Sequence, residues 1–358
     1  MAHSGTESLP RPHSSQWINN PTWDLTFISL SAVLVAIPFT VYFIPQLFGV
    51  DPDISRNVVN ATIAFLIGGP HMYATYSRTL LDPAFRERKR AVALSSGIIP
   101  LAVIYFGVSN FILLLTFFFF WASIHVLDQI VYLVDCYNER APRPQSRLSR
   151  AIDYTLVMVA IYPFSVQKLV HDEFAIGSNI LLFPSFLKHE WFVDIVFTIF
   201  IVAAIAYTVK TIREFSRGEG HAPKTLLIVL TAGIAFLLPT FNNLDVAFQG
   251  FNTWHSFQYL GLTWYVNKLR RERGEPMSPF VKRISEGNGA WRYYAFVVGC
   301  TVLTIGVVIG IWSLTGFDKN HLDQCYYIPI LSVLLTHYYH DHILFRHPEV
   351  LTRATTVI

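Results

Sequence analysis

Charge is scarce in this chain. Asp, Glu, Lys and Arg make up 14% of its 358 residues, against 53% hydrophobic side chains, which excludes an ordinary soluble domain, where about a quarter of residues are charged. Cysteine is nearly absent as well: Cys136, Cys300 and Cys325 are far apart and form no CxxC pair, so neither a disulfide framework nor a zinc ribbon is expected, and the three read as buried bystanders. No glycine-rich phosphate loop, nucleophile elbow or dinucleotide fingerprint occurs, which removes those nucleotide and hydrolase chemistries. The opening of a cleavable signal peptide is also lacking. Residues 1–24 are polar and carry Pro and Ser without a basic start and apolar core, so the first spanning helix is expected to act as its own membrane signal.

What the chain has instead is long apolar runs. "DLTFISLSAVLVAIPFTVYFIPQLF" (Asp24 to Phe48) and "NFILLLTFFFFWASIHVLDQIVYLV" (Asn110 to Val134) are each long enough to cross about 30 Å of hydrocarbon as a helix. Such runs recur between short polar breaks, which describes an all-α, polytopic helical bundle. Ten spans are expected, at about 25–48, 57–77, 91–109, 110–134, 151–169, 191–210, 223–241, 245–267, 292–314 and 325–345. They form one membrane domain over 25–346, between a polar tail at 1–24 and another at 347–358.

The net charge of +3 reads as topology and not as a nucleic-acid footprint. With both termini cytoplasmic, 23 of the 27 Lys and Arg residues fall in inner segments, and only Arg56, Lys168, Lys188 and Lys319 fall outside. That bias is the signature of cytoplasmic loops, and a bacterial inner membrane is the expected location. The basic loop from Arg270 to Arg283 is expected to lie near anionic headgroups. Membrane lipids and a lipophilic small molecule are the expected partners.

Of thirteen histidines, His3, His13, His171, His189, His221, His321 and His347 lie in tails or loops, where solvation explains them. Six lie inside spans: His71, His125, His255, His337, His340 and His342. A polar group left unpaired in hydrocarbon costs several kcal/mol, so these are functional candidates by default. His71, His125, His255 and His337 lie on the second, fourth, eighth and tenth spans, all running outside to inside. Seven positions separate His71 from Arg78, thirteen His255 from Lys268, and nine His337 from Arg346; at about 1.5 Å per residue the depth differs by under roughly 10 Å.

Each also has polar company at helical spacing. His125 stands with Asp128 and Gln129, His255 with Asn252, Gln258 and Tyr259, and His337 with His340 and Asp341. His342, one position past Asp341, points about 100° away. The expected metal ligands are therefore His71, His125, His255 and His337 with His340 and Asp341, supported by Asp128, Gln129, Asn252, Gln258 and Tyr259. Neutral imidazole is the commonest biological ligand for iron, copper and zinc, and carboxylate or amide neighbours fix the ring tautomer. A single such histidine is more often a hydrogen-bonding group between helices; four at one depth argue for a site. "GGPHMYATYSR" (Gly68 to Arg78) adds glycines for close packing and a proline expected to kink the helix before His71.

Pro70 with His71, His125 with Asp128, and His337 with His340 resemble the motifs of the Brp/Blh-type bacterial β-carotene dioxygenases. That resemblance implies a helical membrane protein with histidine-liganded iron around a long apolar substrate. Met72 stands where that family has glycine, the His125 to Asp128 spacing is one residue shorter, the late pair is HxxH in place of HxxxH, and His255 is additional. The repeated HxxHH boxes of membrane desaturases and alkane hydroxylases are absent. The expectation is an iron-dependent membrane oxygenase acting on a lipophilic substrate, its apolar helices excluding water. The alternatives are a membrane haem protein with two axial histidines, another transition metal in the same site, or a proton- or metal-coupled transporter. Against transport stand the lack of an internal repeat and polar groups gathered in one layer.

Overall fold

The computed structural model describes residues 16–88, 90–141, 143–177, 179–287, 290–318, 321–346 and 351. Most of the two expected tails, with His3, His13 and His347, lies outside the described residues, as do Lys89 and Lys319. Among the described residues the chain is almost wholly helical. Its long segments are α1 (Pro21–Leu47), α2 (residues 52–77), α3 (Arg90–Ser109), α4 (Phe111–Glu139), α5 (residues 147–170), α6 (Glu190–Ser216), α7 (Ala222–Thr240), α8 (Leu244–Glu272), α9 (Trp291–Leu314) and α10 (Leu322–Leu344). One short hairpin interrupts the series, β1 (Ala175–Ile176) paired antiparallel with β2 (Asn179–Ile180).

Six of the ten, α1, α3, α4, α6, α7 and α9, are long and apolar enough to cross a membrane, which makes this a multi-pass helical bundle. The other four expected spans are helical but do not meet that measure. α5 breaks between Val159 and Tyr162, just before Pro163, where proline removes a helix donor and sets the start of a new turn. α2 passes through a π turn at Ala64–Gly68 and a 3-10 turn at Thr75–Ser77, while α8 and α10 carry many polar side chains.

Burial sorts the helices into rings. Only 11% of the apolar window of α9 and 17% of that of α6 is buried, against 44% for α4 and α7, so α6 and α9 face the lipid and α4 and α7 the interior. α8 packs against α1 and α2, and α10 against α3, α9 and α4.

The hairpin shows that α2, α4, α8 and α10 run in the same direction. The Gly177 amide donates to Asp245 at the start of α8 (3.1 Å), and the Leu182 amide to Thr116 early in α4 (2.9 Å). Arg56 near the start of α2 pairs with the same Asp245 (3.7 Å), and the start of α10 is represented by Asp323, whose carboxylate lies beside Gly177. At the other end Arg270 of α8 binds Asp82 just beyond α2 (2.6 Å).

Candidate metal centre

Pro70 shapes the approach of His71. Lacking an amide hydrogen, proline cannot bond the carbonyl four residues back and crowds it; here that Leu66 carbonyl accepts the Tyr294 hydroxyl from α9 (2.5 Å). The π turn before Pro70 absorbs the misfit, so the expected kink takes the form of a local bulge. Close packing follows. A Cβ at Gly69 would sit 2.3 Å from Thr301 Cγ2 and 2.5 Å from the Ala64 carbonyl oxygen, so only glycine lets α9 lie this close to α2.

The structure brings together His71, His125, His255 and His337, all buried, with one nitrogen from each within 4.8 Å of the others. Ring centroids of His71 and His337 are 4.6 Å apart, those of His125 lie 4.9 Å from both His255 and His337, and His71 to His255 is 5.2 Å. The four rings do not hydrogen-bond one another. His71 Nε2, His125 Nε2, His337 Nε2 and both nitrogens of His255 are buried without a partner.

Two tautomers are decided by what surrounds them. The Gly68 carbonyl can only accept, so its contact with His71 Nδ1 places the proton on that nitrogen and leaves Nε2 as a bare lone pair. Thr75 donates its hydroxyl hydrogen to Asp341 Oδ1 (2.7 Å), so its 2.6 Å contact with His337 Nδ1 must be accepted from the ring. His337 Nε2 is thereby a second bare lone pair. Tyr259 completes this arrangement, donating to the same Asp341 oxygen and lying 2.6 Å from Thr75. The ring of Tyr338 stacks on His125 at 4.1 Å and 21°, fixing its plane.

An unsatisfied buried polar group costs about 1–3 kcal/mol. Five such nitrogens together would cost on the order of 5–15 kcal/mol, as much as the whole stability of a typical domain. Metal–imidazole bonds are about 2.0–2.1 Å long, so nitrogens this close are within reach of a single ion after each moves inward by less than about 1 Å. Neutral imidazoles select iron, copper, zinc or nickel over calcium or magnesium.

The other expected residues fall elsewhere. His340 is not part of the group: its Nε2 faces Ser95 Oγ (3.1 Å) and the Val92 carbonyl (3.2 Å) of α3, and its Nδ1 faces Thr79 (3.3 Å). Three positions along a helix leave it about 60° out of phase with His337, whereas Asp341 is only about 40° away. Asp341 sits just behind the four rings, its Oδ2 lying 3.5 Å from His337 Nδ1 and 4.0 Å from His125 Nε2. Asp128 does not support His125; it pairs with the exposed His342 (3.1 Å), which also meets Arg346 (2.8 Å). Gln129 donates to the His255 carbonyl (3.2 Å) and to Gln258 (3.0 Å), and Gln258 to the Ile28 carbonyl of α1 (2.6 Å). Both therefore lock α8 to its neighbours.

Thr75, at the hub of the hydrogen bonds, was missed in the sequence, although its position four residues after His71 places it on the same face. His221, expected in solvent, is 1% exposed and caps α7 by accepting from the Lys224 amide (3.3 Å).

No family model matches this chain, and no curated protein or solved structure matches it either.

Polar groups are not confined to the histidine layer. Asp245, Gln249, Asn252, Ser256, Tyr259, Thr263, Asn267 and Arg270 recur every three or four residues along one face of α8, making a seam from end to end. Gln249 meets Asn60 (3.0 Å), Tyr259 meets Thr75, Thr263 meets Tyr293 (3.0 Å), Asn267 meets Ser77 (3.0 Å) and Arg270 meets Asp82. The expectation of a single polar layer is corrected by this seam.

Two pockets open to the outside lie among these helices, each about 820 Å³ once the outside space at its mouth is counted. One is bounded by α4, α5, α7 and α8, the other by α2, α4, α8, α9 and α10, with His71 in its wall. Phe119, Phe248 and Asn252 line both. The "TFFFFW" run thus divides its roles: Phe118 and Phe119 are buried at the cavities, while Phe117 is 53% exposed on the lipid side.

Proposed function

We propose that this protein is an integral membrane oxygenase that holds non-haem iron between His71, His125, His255 and His337 and acts on a lipophilic substrate. The observation that carries the reading is the set of buried, partnerless imidazole nitrogens gathered beside a largely apolar cavity that has His71 in its wall. Iron in an imidazole site supplies dioxygen activation. The chain's own groups prepare that site. The Gly68 carbonyl and Thr75 present His71 and His337 with the correct nitrogen bare, and Asp341 places a carboxylate behind the rings. Phe118, Phe119, Phe248 and Leu331 exclude water and align an apolar molecule. The likeness to the β-carotene dioxygenases supports the same reaction class. Ten spans, cytoplasmic termini and a bacterial inner membrane complete the proposal, supported by the inner bias of basic residues.

Haem fits less well. Neighbouring rings around the group have centroids 4.6 to 5.2 Å apart, spaces into which a porphyrin would not fit without the helices moving apart. An absorption spectrum with a Soret band would reverse that judgement. The seam along α8 favours one second reading, a proton or metal-ion path; uptake into proteoliposomes that is lost in His337→Ala would establish it.

The test of the main reading is elemental analysis of purified protein from iron-replete cells. Stoichiometric iron is expected, lost in each of His71→Ala, His125→Ala, His255→Ala and His337→Ala and retained in His340→Ala. Protein that carries no iron and takes up none on reconstitution would refute it.

A further inference from the structure

The two cavities differ in chemistry. In the first, Ser123 and Tyr162 hydrogen-bond each other (3.3 Å) and Ser165 is bonded to the Ile161 carbonyl (2.7 Å). Their polarity is already used, and apart from Asn252, which it shares with the second cavity, the rest of the wall is apolar, mostly Phe, Leu, Val and Ala. The second carries a ladder of side-chain amides. Gln249 donates to Asn60 (3.0 Å), Asn252 donates to Gln249 (3.0 Å), and Ser256, next to the ligand candidate His255, donates to Asn252 (3.0 Å).

Each amide nitrogen has two hydrogens. The ladder uses one on Gln249 and one on Asn252, so each of these amides keeps a second hydrogen, and Asn60, Gln249 and Asn252 all line the cavity. In a hydrocarbon setting such donors are costly unless something bonds them. Among the described residues no Lys or Arg lines this cavity, and one carboxylate, Asp245, does. A neutral group is therefore favoured over an anionic one. A hydroxyl both donates and accepts, as an amide does.

We infer that the ligand of this site is an elongated apolar molecule ending in a hydroxyl, with the hydroxyl against Asn60, Gln249 and Asn252 and the hydrocarbon against the Phe119–Phe248 wall. This inference rests on the oxygenase reading for the identity of the ligand as substrate, but its test is a binding measurement. Radiolabelled hexadecan-1-ol, hexadecane and hexadecanoate are bound to the full chain in lipid nanodiscs, with iron content measured on the same samples.

The alcohol is expected to bind about tenfold more tightly than the alkane, the effect of one good hydrogen bond in a buried site, and more tightly than the acid. Asn60→Leu and Gln249→Leu are expected to remove the difference by weakening the alcohol alone. Ser165→Phe, which fills the first cavity, weakens alcohol and alkane alike. Equal affinity of alcohol and alkane in the unaltered protein overturns the inference and makes the ladder a lining for water. So does a preference that survives both leucine variants, or tighter binding of the acid. Alcohol selectivity in a protein that takes up no iron would sink the oxygenase reading and leave this ligand class standing.

Discussion

Replacing Thr75 by valine removes one hydroxyl and keeps the shape of the side chain. In the native protein that hydroxyl lies 2.6 Å from His337 Nδ1, 2.6 Å from the Tyr259 hydroxyl and 2.7 Å from Asp341 Oδ1. Valine leaves Asp341 bonded to Tyr259 but leaves the His337 N–H without an acceptor, 3.5 Å from Asp341 Oδ2. The ring is then free to turn or to move its proton to Nε2, the nitrogen that faces the other three histidines. Loss of such an orienting partner lowers metal affinity about 10- to 100-fold, or about 1.4–2.7 kcal/mol. The assay is competition with a chelator of known affinity, read by elemental analysis, beside a thermal melt that shows the fold intact. Thr75→Ser, which restores the hydroxyl, should recover most of the lost affinity. Unchanged metal affinity in Thr75→Val, or an equal loss in Thr75→Ser, would refute the assignment of this hub.

Three further outcomes are expected. Gly69→Ala drives a Cβ to 2.3 Å from Thr301 Cγ2, an overpacking of about 1–3 kcal/mol that should lower the melting temperature; a neutral effect would mean that α9 can slide away from α2. Asp153→Asn leaves Lys224, 2.9 Å from the lost charge, and Lys210 without their shared buried carboxylate; it should cost about 3–5 kcal/mol, and more than Lys224→Met, after which Asp153 still has Lys210. His221, which caps α7 outside its apolar run, is held down at about 4 by burial and then by Lys224, so the unfolded chain takes up this proton first as pH falls. Its contribution is complete above about pH 6.5 and is lost toward pH 4, about 3 kcal/mol in all. His221→Asn, which keeps a capping acceptor, should flatten the fall in melting temperature over that range; parallel curves would show that His221 is not the group responsible.

Much of this site was legible because helical periodicity is local. Counting residues from the basic ends placed His71, His125, His255 and His337 at one depth, and helical phase set His342 apart from His337. The same counting put His340 with the ligands and Asp128 beside His125, and there it failed. A side chain 60° or so from its neighbour can turn to either of two adjoining helices; the Ser95 hydroxyl and Val92 carbonyl of α3 drew His340 one way, and His342 drew Asp128 another.

Composition and period by themselves determined that the chain is a helical membrane bundle and which histidines share a depth, because both depend on spacing along a single helix. Only the tertiary structure decided which nitrogens are bare, that Thr75 joins His337 to Asp341, that the polar face of α8 meets partners from end to end, and that His221 is buried. Each of these depends on how helices distant in sequence rotate and pack against one another, and no local spacing encodes that.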